Sequence, residues 1–173
     1  MKGANYREPR GMPYVRREYI AGKPQSKIAK FSSGQSSNNY DFKLELLVTE
    51  NIQIRHNALE AARLAANKRM SQAGEATFFS KLKVYPHVLL RENKMIATAG
   101  ADRLQEGMRR AFGKATGLAA RIQPGQVIFQ AYCTTANLSL TKEGFKVASS
   151  KLGCPTIIRI TPLKKQMLEV DGD

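Results

Sequence analysis

The stretch from Ala99 to Gly125, AGADRLQEGMRRAFGKATGLAARIQPG, limits what this chain can build. Gly100, Gly107, Gly113, Gly117 and Gly125 punctuate it, and Arg103, Arg109, Arg110, Lys114 and Arg121 oppose only Asp102 and Glu106. It lies between two strand-like runs. A long loop without regular structure is uncommon inside a compact domain and is usually functional or disordered when free. Cations on a glycine-rich backbone are poor core material, but they suit a polyanion's surface. A compact body with a flexible basic loop over about 99–125 is therefore expected.

The rest of the chain carries the same excess. Lys and Arg total 28 against 14 Asp and Glu in 173 residues, a formal charge of +14. Repulsion of that size disfavours a compact state unless a partner neutralises it. A chain of this length buries about 70% of its unfolded surface, enough for one real core. A second basic extension spans residues 1–26, where Lys2, Arg7, Arg10, Arg16, Arg17 and Lys23 alternate with Tyr6, Tyr14, Tyr19 and three prolines. Arginine with interspersed tyrosine can pair phosphates and stack on unpaired bases. Alone, such an arm is expected to be solvated, ordering when it binds. It contains no apolar secretory core, and no stretch approaches the ~20 apolar residues of a membrane span. The chain reads as soluble and intracellular.

Between residues 27 and 162 the pattern is α+β. Lys27–Phe31 reads as a short strand. Asp41–Glu50 alternates, with Phe42, Leu44, Leu46 and Val48 on one face. A helix follows, with Asn57 as N-cap and Glu60 completing a capping box. Its apolar stripe is Leu59, Ala62, Ala66, Met70 and Ala73, its outer side holds Arg63, Asn67, Lys68 and Arg69, and Gly74 stops it. Thr77–Tyr85 alternates again, and Pro86 separates it from His87–Arg91. Gln126–Thr134 is an apolar strand. Thr141 is expected to cap a second helix that buries Phe145, Ala148 and Leu152 and ends at Gly153. Thr156–Thr161 is the last strand, and a tail of mixed charge covers 163–173. Strands clustered between only two helices argue for one mixed sheet with both helices on one face.

Catalytic patterns are absent. A phosphate loop needs G-x-x-x-x-G-K-[ST]. Gly107 to Gly113 is one residue too long, and Ala115 stands where the hydroxyl should be. There is no G-x-S-x-G elbow. His56 and His87 lack cysteine or carboxylate partners at ligand spacing. Cys133 and Cys154 form neither a metal pattern nor a disulfide framework. The residues suggest a binding protein without cofactor or metal, not an enzyme.

The segment GADRLQEGMRRAFGKATGLAARIQPGQVI closely resembles the signature of a universal large-subunit ribosomal protein family, numbered sixteen in bacteria and ten-e in archaea and eukaryotes. HNALEAARLAANKRM resembles its first helix, and Lys23–Phe31 resembles its N-terminal region. The resemblance covers nearly the whole chain and is closest to the archaeal form. It implies an α/β-hammerhead body on large-subunit rRNA, with the loop directed toward the peptidyl-transferase centre and tRNA acceptor arms. Arg103, Arg109, Arg110 and Lys114 are then the residues expected nearest tRNA. The cations expected to hold rRNA are Arg7, Arg10, Arg16, Arg17, Lys23, Lys27, Arg63, Lys68, Arg69, Lys81, Lys83 and Arg121. Expected partners are rRNA, the tRNA acceptor arm and neighbouring ribosomal proteins, with no membrane and no homo-oligomer. The alternative is a free-standing RNA-binding assembly or regulatory factor, with the same charge but substoichiometric to ribosomes.

Overall fold

The structure, a computed structural model, describes residues 1–13, 17–36, 39–94, 109 and 111–163. Its elements in chain order are β1 (Ser32–Gly34), β2 (Phe42–Val48), β3 (Ile52–Arg55), α1 (His56–Met70), β4 (Phe78–Leu82), β5 (Val88–Glu92), β6 (Lys114–Ile122), β7 (Val127–Cys133), α2 (Leu138–Leu152) and β8 (Thr156–Pro162). This is the expected α+β class. The single mixed sheet is not found. The strands form a five-stranded sheet, β1-β4-β7-β2-β8, and a three-stranded sheet, β3-β6-β5. All their pairings are antiparallel.

Two tight corners explain the split. β2 passes into β3, and β6 passes into β7, each crossing from one sheet to the other. The corners are tied side by side. The Val48 amide donates to the Gln126 carbonyl at 3.2 Å, and the Gly125 amide donates to the Val48 carbonyl at 2.7 Å. Gly125 sits at φ +80°, a backbone conformation that side chains other than glycine resist.

The large sheet turns one face to the helices. Leu44 and Leu46 stand opposite Ala131 and Phe129, and Phe129 meets Phe145 of α2 with ring centroids 6.5 Å apart. Leu59, Ala62, Ala66 and Met70 of α1 and Phe145, Ala148 and Leu152 of α2 are buried, as their helical spacing requires. The two helices approach closely at Gly144, where a Cβ would lie 3.1 Å from the Ala66 carbonyl oxygen. Gly153 closes α2 at φ +66°, a left-handed C-cap.

Four local expectations are corrected. Residues 27–31 are not a strand; the nearby strand is the polar Ser32–Gly34, and Ile28 is a buried anchor. Helix α1 starts at His56 directly from β3, so Asn57 lies inside it and no side chain caps it; Glu60 bonds Arg63 instead. Helix α2 continues a 3-10 turn at Thr135–Asn137. Thr141 therefore falls within its first turn, buried, with its hydroxyl donating to the Asn137 carbonyl at 2.8 Å. Finally, the loop expected over 99–125 is a strand from Lys114 to Ile122. Gly117, Ala119 and Ala120 make β6 slim enough to be buried on both faces. Residues 95–108 and 110 lie outside the described residues.

Candidate nucleic-acid interface

The three-stranded sheet carries both basic extensions. Residues 1–13 run along it, held at the carbonyls of Tyr6, Arg7 and Gly11, while most of the arm stays exposed to solvent. Gln53 of β3, 8% exposed, is the fastening point. Its amide N–H donates to the Arg7 carbonyl at 2.7 Å. Its side-chain Nε2 donates to the Tyr6 carbonyl at 2.8 Å. Its Oε1 accepts from Arg121 Nε at 3.3 Å, directly across the β3–β6 pair. Arg121 also donates to the Gly11 carbonyl, and the Arg55 guanidinium lies 5.7 Å from the Tyr6 ring centroid. A cleft of about 540 Å³ remains between arm and sheet, with Arg10, Arg91 and Arg121 in its walls. A buried amide with both ends bonded suits this position, because an unpaired one would cost about 1–3 kcal/mol.

Strands β5 and β6 form the root of the basic loop. Their register slips by one residue. Leu90 faces Gly117, but Arg91 faces Ala115, leaving Thr116 as the extra residue of a bulge. The Thr116 hydroxyl donates to the Leu90 carbonyl at 3.3 Å. Gly113 is pressed against the end of β5; a Cβ there would lie 2.7 Å from the Glu92 carbonyl carbon. Next to it Phe112 is 67% exposed, with the Arg91 guanidinium 4.0 Å from its ring centroid. Arg109 and Lys114 are exposed here, whereas Arg103 and Arg110 fall outside the described residues.

The expected rRNA cations divide. Lys27, Lys68, Arg69, Lys81 and Lys83 are exposed on the body, and Lys23 is exposed in the arm. Arg7 and Arg10 are exposed but have acidic neighbours, Glu50 at 3.5 Å and Glu8 at 3.4 Å. Arg16 lies outside the described residues, and of Arg17 only the backbone, in a short 3-10 turn, is described.

Two members of the set are turned inward. Arg63 is buried and forms a bidentate pair with Glu60, at 2.6 and 2.8 Å. That hydrogen bonding holds its pKa above the ordinary arginine value, against the opposing effect of burial. Arg121 is half-buried and spent on Gln53 and Gly11. The i, i+3 spacing of Glu60 and Arg63 is a sequence signal for the first pair. Gln53, Phe112 and Arg91 were not singled out by pattern, since a lone glutamine, phenylalanine or arginine carries no local signature.

The remaining titratable groups are structural. His56 is buried at the start of α1, and its Nδ1 accepts the Lys27 amide proton at 3.2 Å. Burial, then the charges of Arg55 and Lys27, push its pKa below the ordinary histidine value. Burial pushes the thiols of Cys133 and Cys154 up. Among the described residues no group of His, Cys, Asp and Glu could hold a metal, and no helix is long and apolar enough to cross a membrane.

Residues 9–159 match the family described as ribosomal protein L16p/L10e. The chain is 52% identical over 157 residues to large ribosomal subunit protein uL16 of Hyperthermus butylicus, covering 90% of this chain and 87% of that protein. It is 52% identical over 155 residues to its counterpart in Staphylothermus marinus, covering 89% of each. With the protein of the same name from Metallosphaera sedula it shares 49% over 167 residues, 95% of each. The match takes in both sheets, both helices and the root of the basic loop, and on it the chain belongs to the ribosomal protein L16p/L10e family in its archaeal form.

Proposed function

We propose that this protein is a structural constituent of the large ribosomal subunit, not an enzyme, and that it binds large-subunit rRNA. Membership of the family over residues 9–159, together with relatives named as large-subunit proteins, carries the reading. The exposed Lys27, Lys68, Arg69, Lys81 and Lys83 support it, because phosphate contacts by such side chains position a protein on nucleic acid. The arm adds Arg7 and Arg10. The loop rooted on β5 and β6 runs toward the peptidyl-transferase centre and the tRNA acceptor arms, bringing Arg103, Arg109, Arg110 and Lys114 near tRNA. Neighbouring ribosomal proteins complete its surroundings in the cytoplasmic ribosome.

Sedimentation tests this. The protein should travel with large subunits through a moderate salt wash, in amounts equimolar with rRNA. Protein at the top of the gradient in every growth phase would refute the reading, and a substoichiometric amount on particles would favour an assembly factor.

A further inference from the structure

We propose that Phe112 and Arg91 form a built stacking platform for one unpaired nucleobase at the root of the basic loop. The inference rests on the RNA-binding reading above and names a contact that family membership does not specify.

An isolated exposed apolar side chain is ordinary and by itself says little. Phe112 differs in three respects. First, its ring already has a cation in place: the Arg91 guanidinium lies 4.0 Å from the centroid, within cation–π distance. The residue is still 67% exposed, so aromatic surface remains open to a planar ligand. Second, the ring is held in position. Gly113, the next residue, is buried against Glu92 with no room for a Cβ, and Arg91 and Glu92 are paired in the ladder to Ala115 and Lys114. The backbone of Arg91 and the chain that follows Phe112 are thus fixed before any ligand arrives, which reduces the ordering cost of binding. Third, cations prevail in the surroundings: Arg91 touches the ring, Lys114 and Arg109 are exposed nearby in sequence, and the one adjacent carboxylate, Glu92 opposite Lys114, is already paired with the Met1 amino group at 3.3 Å. An exposed aromatic flanked by cations matches the combination that holds single-stranded nucleic acid, where the ring takes the base and the cations take the backbone. A protein partner offers no equivalent reason for so much positive charge around one ring. The ligand class is therefore an unpaired base of a folded RNA, with stacking that tolerates any of the bases.

The chain contains no tryptophan, so Phe112→Trp places a single indole on the platform. The probes are an in vitro transcript of archaeal large-subunit rRNA and polyphosphate of matched charge. The transcript should quench the indole emission, and polyphosphate, which has no bases, should leave it nearly unchanged. In parallel, Phe112→Ala should weaken transcript binding by about 5- to 150-fold, the range for loss of one base–aromatic stack. It should leave the slope of log affinity against log salt as in the parent, since no charge is removed. Equal quenching by both polyanions, or unchanged affinity in Phe112→Ala, would overturn the platform while leaving RNA binding intact. Failure of the unsubstituted protein to bind the transcript at all would instead strike the RNA-binding reading.

Discussion

The two sheets use their side chains in opposite ways. The five-stranded sheet is a hydrophobic wall: Leu44, Leu46, Phe78 and Phe129 face two helices and exclude water. The three-stranded sheet is a mounting plate. It holds the arm through Gln53 and Arg121, and it carries the loop on β5 and β6. Cations divide differently, by whether they face inward or outward and not by sheet. Arg63 and Arg121 face inward and are consumed by internal partners, Glu60 for the first and Gln53 and Gly11 for the second. Where a cation faces outward, as Lys81 and Lys83 do, it remains available to a polyanion. Positive charge in this chain is thus two populations, and counting it all as binding surface overstates the interface.

The sharpest contrast should come from the hydrophobic wall. Phe145→Ala removes a fully buried ring and should cost about 3–5 kcal/mol of stability in denaturant unfolding. A loss below that range would mean the α2 face is loosely packed. The inward cation comes next. Glu60→Ala leaves the Arg63 guanidinium buried without its carboxylate and should cost about 3 kcal/mol. Lys68→Ala, about two turns further along the same helix, should change stability by less than about 0.5 kcal/mol. Equal effects of the two would erase the distinction between populations. At the loop root, Gly113→Ala forces a methyl against Glu92 and should cost about 1–3 kcal/mol in thermal or denaturant unfolding.

A smaller effect should appear with acid. The folded state disfavours protonated His56, so its folded pKa lies below the unfolded value of 6.5. Its contribution is full above that value and is lost progressively as pH falls below it, because the unfolded chain binds the proton first. His56→Gln should flatten that part of the stability-against-pH curve. The smallest stability change belongs to Lys81→Ala with Lys83→Ala. It should leave unfolding nearly unaltered but reduce the salt slope of rRNA binding by about two. A slope unchanged in that pair would remove Lys81 and Lys83 from the proposed interface.

The sequence carried most of the wall and little of the mounting plate. Alternation at Leu44, Leu46 and Val48 and helical spacing at Phe145, Ala148 and Leu152 are local consequences of burial on one side, so a single chain displays them. Strand β3 escaped because Ile52–Arg55 has only four residues and passes into α1 without a turn. Strand β6 escaped because its glycine and alanines read as loop, when they are small to let neighbours approach from both sides. The Gln53–Arg121 clasp joins residues far apart in sequence, a relation that no local period records. Among the candidate binding cations, charge pattern treats all alike, because it does not tell which arginines, Arg63 and Arg121, have internal partners.

The extra residue at Thr116 has a mechanical consequence. Side chains alternate along a strand, so a one-residue change of register reverses which way every later side chain points. The bulge between Leu90 and Arg91 has already made that reversal at the foot of the loop. Deleting the single residue Thr116 would remove the bulge and turn Ala115 and Lys114 toward the opposite faces of β6. The heading of Lys114 is therefore decided within the strand, one residue deep, and not by the length of the segment before it.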